Sequence, residues 1–189
     1  MPFILGLVNH YSQQQVGLLI AVLPVLAVCT GTVAGFLADR FGARSISTIG
    51  LVCLLIGCLA LSTFSEKLTV LGYILRVFLF GIGFGLFQPP NQSAIISSVP
   101  PQFISVASGL WFFSRALGQV IGITLIGILF SHFTASQLQV DTSISITTAP
   151  VEALVFGEQA SFRIVSVILA VTVGISGFLW KRQNQELRV

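Results

Sequence analysis

The chain alternates long apolar runs with short clusters of charge, and the runs have the length of membrane crossings, which need about 20 apolar residues each. Val16 to Ala38 holds no charge. Ser45 to Ser65 is a second uncharged run, bounded by Arg44 and by Glu66-Lys67. Leu68 to Pro89 is broken only by Arg76, Ile104 to Phe133 only by Arg115, and Ile164 to Trp180 is closed by Lys181-Arg182. The pattern predicts transmembrane helices over 16–38, 45–65, 68–89, 104–133 and 164–180. Pro2 to Val8 is apolar but far too short to cross, and reads as the tail of a helix whose beginning is absent. No stretch reads as a strand. The expected fold is an all-α integral membrane bundle, a single transmembrane domain over 1–189 with five full spans plus a partial one.

The connections differ from one another. Residues 90–103 are uncharged and bracketed by Pro89-Pro90 and Pro100-Pro101, so they read as a turn with helix breakers at both ends. Residues 134–160 are rich in Ser, Thr and Gln and carry Asp141, Glu152 and Glu158. A solvated outer loop is expected there rather than a helix lying at the interface. Basic residues orient the whole. Arg40 and Arg44 in the first connection, and Lys181, Arg182 and Arg188 in the tail 181–189, mark the cytoplasmic side. The other side receives Lys67 and Arg163. The chain is therefore expected to be a multi-pass protein of the cell (inner) membrane with its C-terminus in the cytoplasm.

Composition agrees with this picture and excludes others. Only 8% of the 189 residues are charged, against about 25% in a soluble domain. Hydrophobic residues make up 54% and the mean hydropathy is +0.97, so disorder and nucleic-acid binding are excluded as readings. The net charge of +3 reports topology, and the bilayer is the first partner. A secretory signal fails because the first basic residue is Arg40. Leu26-Ala27-Val28-Cys29 matches a lipid-attachment box poorly. His10 and His132 stand alone, and Cys29, Cys53 and Cys58 lack metal or redox spacing. No enzyme activity, metal or cofactor is expected.

Small residues indicate how the spans pack. Gly31 with Gly35, Gly81 with Gly85, and Gly118 with Gly122 each recur at four residues, on one helical face where backbones can approach closely. Gly31, Gly81, Gly85, Gly118 and Gly122 are the packing candidates. Pro24 and the run Gly81-Ile82-Gly83-Phe84-Gly85 are expected points of bending.

The most specific local pattern is Gly35-Phe36-Leu37-Ala38-Asp39-Arg40-Phe41-Gly42-Ala43-Arg44, at a tight cytoplasmic turn. Gly42 permits the turn, and Asp39 can pair with Arg40, Arg44 or a neighbouring helix end. An ordinary positive-inside turn is the plainer reading. The spacing of Gly35, Asp39, Arg40, Gly42 and Arg44 resembles the G-x-L-a-D-r-x-G-x-r loop of major facilitator superfamily transporters, in the copy carried by their C-terminal half. Leu75-Arg76 with Gly81, Gly83, Gly85 and Pro89-Pro90 is similar to the tenth helix of that family's twelve-helix scheme. Ala107-Ser108-Gly109-Leu110 with Arg115, Gly118 and Gly122 is similar to the eleventh. The pattern looks like the fourteen-helix drug:proton antiporters, the EmrB-like and QacA-like exporters. The resemblance implies a bundle that shares a small-molecule path with an N-terminal half, and a conformational latch at Gly35, Asp39, Arg40, Gly42 and Arg44. Arg76 stands five residues before Gly81, one more than in the family's fourth-helix motif, so no proton-transfer role is carried over to it.

Charges inside a span are costly and usually face a partner or a wet cavity. Arg115 lies about 17 Å along its helix from Ile104, near mid-membrane, whereas Arg76 lies about 12 Å from Leu68 and can reach the outer interface. Arg115, Arg76, Gln119, Gln88 and Asn91 are the substrate-path candidates, although capping and interhelical hydrogen bonds account for the amides equally well. No Asp or Glu falls inside any expected span, so a coupling carboxylate is expected in the absent N-terminal half. The expected function is the C-terminal part of a proton-coupled drug or small-molecule exporter. The alternative is a truncated or decayed membrane protein, or an interaction subunit packing against another membrane protein.

Overall fold

The structure, a computed structural model, describes residues 13–63, 70–138 and 150–186. The partial span expected at 2–8, the middle of the outer loop and the last tail residues lie outside them. Among the described residues there are five α-helices and no strand: α1 (Gln13–Phe41), α2 (Ala43–Leu61), α3 (Val70–Ser97), α4 (Ile104–Leu138) and α5 (Val151–Glu186), with a 3-10 turn at Pro101–Phe103 before α4. All five are long and apolar enough to cross a membrane, so the fold is the expected helical membrane bundle.

Helix α3 is the centre of the packing, and its glycine run explains why. At 100° per residue, Gly81 and Gly85 share one face and Gly83 points to the opposite one. A methyl group added at Gly83 would lie 2.5 Å from the Leu54 amide nitrogen of α2, and one at Gly85 would lie 2.8 Å from the Ala27 carbonyl oxygen of α1. The run forms two backbone-contact faces rather than a hinge, and α3 is helical through it. The contacts repeat along antiparallel axes. A methyl added at Gly50 of α2 would lie 2.5 Å from the Phe87 nitrogen and one at Gly57 2.7 Å from the Phe80 backbone, while one at Gly31 of α1 would lie 3.4 Å from the Pro89 ring. Core clusters fill both ends of this three-helix unit. Leu19, Leu61, Tyr73 and Val77, with Phe162 of α5, occupy one end, and Ala34, Ala38 and Ile46, with Leu86, the end at the α1–α2 turn. Helix α5 packs on α2, where Cys58 Sγ donates to the Phe162 carbonyl at 3.6 Å and Thr48 and Ser176 hydroxyls meet at 3.5 Å.

Three element boundaries differ from the sequence reading. Helix α3 does not break at Pro89-Pro90 but runs to Ser97. Proline's fixed φ is helical, and the carbonyls it frees are tolerated when neighbouring helices cover them; Pro90 is fully buried and Pro89 rests on Gly31. Helix α4 continues past Phe133 to Leu138, and α5 begins at Val151 instead of Ile164. The expected solvated loop 134–160 is thus helical over much of its length. Ala153, Leu154 and Val155 bury an apolar face there, and a methyl at Gly157 would lie 3.0 Å from the Phe130 carbonyl oxygen of α4. Glu152 sits in the first turn of α5, where the helix dipole favours a carboxylate. At about 52 and 54 Å, α4 and α5 exceed the hydrocarbon thickness of about 30 Å, so their paired outer ends project from it.

This lengthening carries a carboxylate, read from the sequence as a loop residue, onto the projecting end of a spanning helix. Glu158 lies on α5 inside the apolar stretch Val151–Phe178 and is only 4% exposed. Tyr73 of α3 stands within electrostatic reach of it.

Arg76 finds its partners within this bundle. Its Nε donates to the Ala60 carbonyl at 3.1 Å and its Nη1 to the Gly72 carbonyl at 3.0 Å. Ala60 is in the last turn of α2, whose carbonyls lack intrahelical donors and carry the negative end of the dipole. Thr63 Oγ1 donates to the same oxygen at 2.7 Å. Arg76→Leu is expected to destabilise the folded bundle by about 1–2 kcal/mol, with Arg76→Lys intermediate, in denaturant titrations in mixed micelles. Equal stability of all three would remove the capping role.

Candidate functional site

Helix α4 is the least covered element: its most apolar stretch contains no buried residue. Between 104 and 128 no residue is buried, and the half-covered positions are Ala107, Ser108, Trp111 and Gly122. These recur at helical spacing with Arg115, Gly118 and Gln119, so they define the face turned toward the rest of the chain. Yet Arg115 and Gln119 on this face are exposed, and a methyl added at Gly118 or Gly122 would meet nothing within 4 Å. An open cleft therefore separates α4 from α3 at mid-membrane depth. A methyl at Gly81 or Gly85 would press on α1 and one at Gly31 would make ordinary contact with Pro89, while Gly118 and Gly122 line open space.

Arg115 bridges the cleft. With the Gln88 amide oriented by its hydrogen bonding, Gln88 Oε1 on α3 accepts from Arg115 Nη2 at 3.0 Å and also from Nη1. The guanidinium carbon lies 5.5 Å from the centroid of the Trp111 ring, one turn away on α4, a cation–π distance. Trp111 in turn meets Phe112 edge to face with centroids 4.8 Å apart. Asn91 is half-buried one turn beyond Gln88. A cavity of about 480 Å³ opens at the C-terminal end of α3, lined by Pro89, Gln92, Ser93, Ile96 and Ile104 among others. Gln92, which lines it, is one turn along α3 from Gln88.

Four of the five path candidates, Arg115, Gln88, Gln119 and Asn91, thus fall along one cleft. Arg76 does not; it lies about 18 Å along α3 from Gln88 and faces α2. Sequence reasoning missed Trp111, Gln92 and Ser93. Trp111 was detectable, because four residues separate it from Arg115 on one helical face.

The motif Gly35, Asp39, Arg40, Gly42 and Arg44 occupies the junction of α1 and α2. Gly42 is the single residue between them, with φ at 90°, its amide bonding the Ala38 carbonyl at 2.8 Å. Only glycine takes this backbone geometry without strain. Asp39, Arg40 and Arg44 are exposed around the turn, with the Arg40 guanidinium 5.5 Å from the Phe41 ring centroid. The motif therefore presents its charges outward, where another helix end could receive them.

Comparison with known proteins agrees with the geometry. A family profile described as Major Facilitator Superfamily matches residues 1–187. The chain is 31% identical over 83% of its length to the uncharacterized transporter YebQ of Escherichia coli K12, covering 34% of that protein. It is 24% identical over 99% of its length to the riboflavin transporter RibZ of Clostridioides difficile, covering 40% of it. With the quinolone resistance protein NorB of Staphylococcus aureus it shares 30% identity over 72% of the chain, covering 30% of NorB. The chain thus spans between 30% and 40% of the length of these curated relatives.

Proposed function

Because the chain belongs to the major facilitator superfamily, we propose that it forms the C-terminal bundle of a proton-coupled exporter of drugs or other small molecules in the cell (inner) membrane. Transporters of this kind hold their substrate near the midplane between two bundles that rock about it. The observation that carries the reading is the exposed Arg115 on an open, inward-turned face at that depth. NorB, similar to this chain, is named for quinolone resistance and RibZ for riboflavin transport, so organic molecules with aromatic rings are the substrates this reading favours. The exposed Asp39, Arg40 and Arg44 would latch against the second bundle on the cytoplasmic side, where the C-terminus also lies. Glu158 adds a buried carboxylate on α5 beside Tyr73, a group able to carry a proton within this bundle.

The test is transport by membrane vesicles that hold this chain with its N-terminal bundle. Energised vesicles should move an aromatic dye against its gradient, a protonophore should abolish the movement, and Glu158→Gln should reduce it about tenfold or more. Dye movement indifferent to the proton gradient would remove the coupling, and absence of movement for any aromatic substrate would favour an interaction subunit.

A further inference from the structure

The guanidinium of Arg115 is satisfied in part but not neutralised. Gln88 Oε1 takes N–H groups from Nη1 and Nη2, leaving the rest of the five-donor fork free. Gln88 brings no charge. The described carboxylates lie elsewhere: Asp39 is exposed at the cytoplasmic end of α1, Glu152 and Glu158 stand at the outer end of α5, and Glu186 is its last residue. A cation at mid-membrane depth facing an open cleft attracts an anion, because the low dielectric strengthens the pairing. Its planar fork matches a carboxylate with two parallel hydrogen bonds.

The surroundings narrow the class of anion. Arg115 is the one cation on this face of α4, and the cavity one turn along α3 from Gln88 is lined by Pro89, Gln92, Ser93, Ile96 and Ile104, without a charged side chain. A single positive charge suits a monoanion rather than a doubly charged phosphate. Trp111 lies under the guanidinium, and Phe112 meets it edge to face while remaining 57% exposed. Together they present aromatic surface next to the charge, on which a flat ring can pack.

We propose that the cleft between α3 and α4 is a binding site for aromatic carboxylates, in which Arg115 holds the carboxylate, Gln88 fixes the guanidinium, and Trp111 and Phe112 contact the ring. This rests on the reading of the chain as a transporter bundle, and it specifies the charge and shape of what that bundle binds. A neutral amide or a cationic amine of the same ring leaves the guanidinium uncompensated and binds more weakly.

Trp111 provides the readout. The chain contains two tryptophans, so Trp180→Phe leaves Trp111 alone. The full chain in lipid nanodiscs is titrated with para-nitrobenzoate, para-nitrobenzamide and para-nitrobenzylamine, which quench tryptophan on contact. Saturable quenching is expected for the benzoate, with affinity at least about tenfold above the amide and the amine. Arg115→Gln should bring the benzoate down to the level of the amide, and Arg115→Lys should retain an intermediate preference, with helical circular dichroism unchanged. Equal affinity of the three probes, preference for the amine, or a benzoate preference that survives Arg115→Gln would overturn the proposal. So would loss of benzoate binding when the N-terminal bundle is added, which would assign Arg115 to an ion pair between bundles. Benzoate selectivity without vesicle transport would defeat the transporter reading and leave the site standing, whereas transport without benzoate selectivity would defeat the site alone.

Discussion

Replacing Gly83 by leucine is expected to prevent most of the chain from reaching its folded form in the membrane. Even the alanine variant should lose about 2–3 kcal/mol. The reason is what a side chain would meet. The methyl introduced by Gly83→Ala would stand 2.5 Å from the Leu54 nitrogen and 2.8 Å from the Cys53 carbonyl carbon, and these are backbone atoms that cannot rotate away. Relief requires separating α2 from α3, which loosens the neighbouring contacts at Gly50 and Gly57 as well. In lipid, the packing of close backbones is itself what holds helices together, since hydrocarbon tails are as apolar as the side chains they replace. Gly127 is the control: a methyl there meets nothing within 4 Å, so Gly127→Ala should be neutral or stabilise by up to about 1 kcal/mol through helix propensity. Unfolding by SDS titration from mixed micelles measures both variants. Similar losses at Gly83 and Gly127 would show that the α2–α3 contact is looser than described.

How much of this was legible in the sequence depends on which physical signal each feature leaves. The existence of five crossing helices follows from the gaps between charges, because a lipid-facing helix cannot afford many of them. Helix ends left weaker traces. Pro89-Pro90 reads as a breaker in isolation, and only its burial against α1 shows why α3 continues. The start of α5 was hidden because Ser161 and Glu158 look like loop residues, whereas Ala153, Leu154 and Val155 pack as a helix face. Glu158 was therefore taken for a solvated group. Glycine pairs spaced by four marked the α1–α3 contact, but the α2–α3 contact uses Gly50 and Gly57, seven apart, opposite Gly83, and a search at spacing four passes over them. The intramembrane arginines were visible as anomalies from the start. Their roles were not, because Arg76 and Arg115 differ in what stands across from them: a helix end in one case, an amide and an open cleft in the other.

The second large effect concerns what this bundle does by itself. Large apolar side chains are exposed all round α4, among them Val106, Leu110, Phe113, Leu117, Val120 and Ile123, and along α1 at Leu18, Val25, Val28 and Phe36. Lipid can cover such surface, but lipid cannot cover the cleft face that carries Arg115 and Gln119. That face needs water or protein, and a path bounded on one side only cannot alternate its access between two sides of a membrane. On the proposed function, the chain is therefore expected to transport in company with an N-terminal bundle and not without one.

Proteoliposomes measure this directly. The chain is reconstituted alone, and separately with its N-terminal bundle, and accumulation of an aromatic dye driven by an imposed proton gradient is followed in each. Protonophore-sensitive accumulation is expected in the paired vesicles, and none above empty liposomes with the chain alone. Proton-driven accumulation by the chain alone would contradict that expectation.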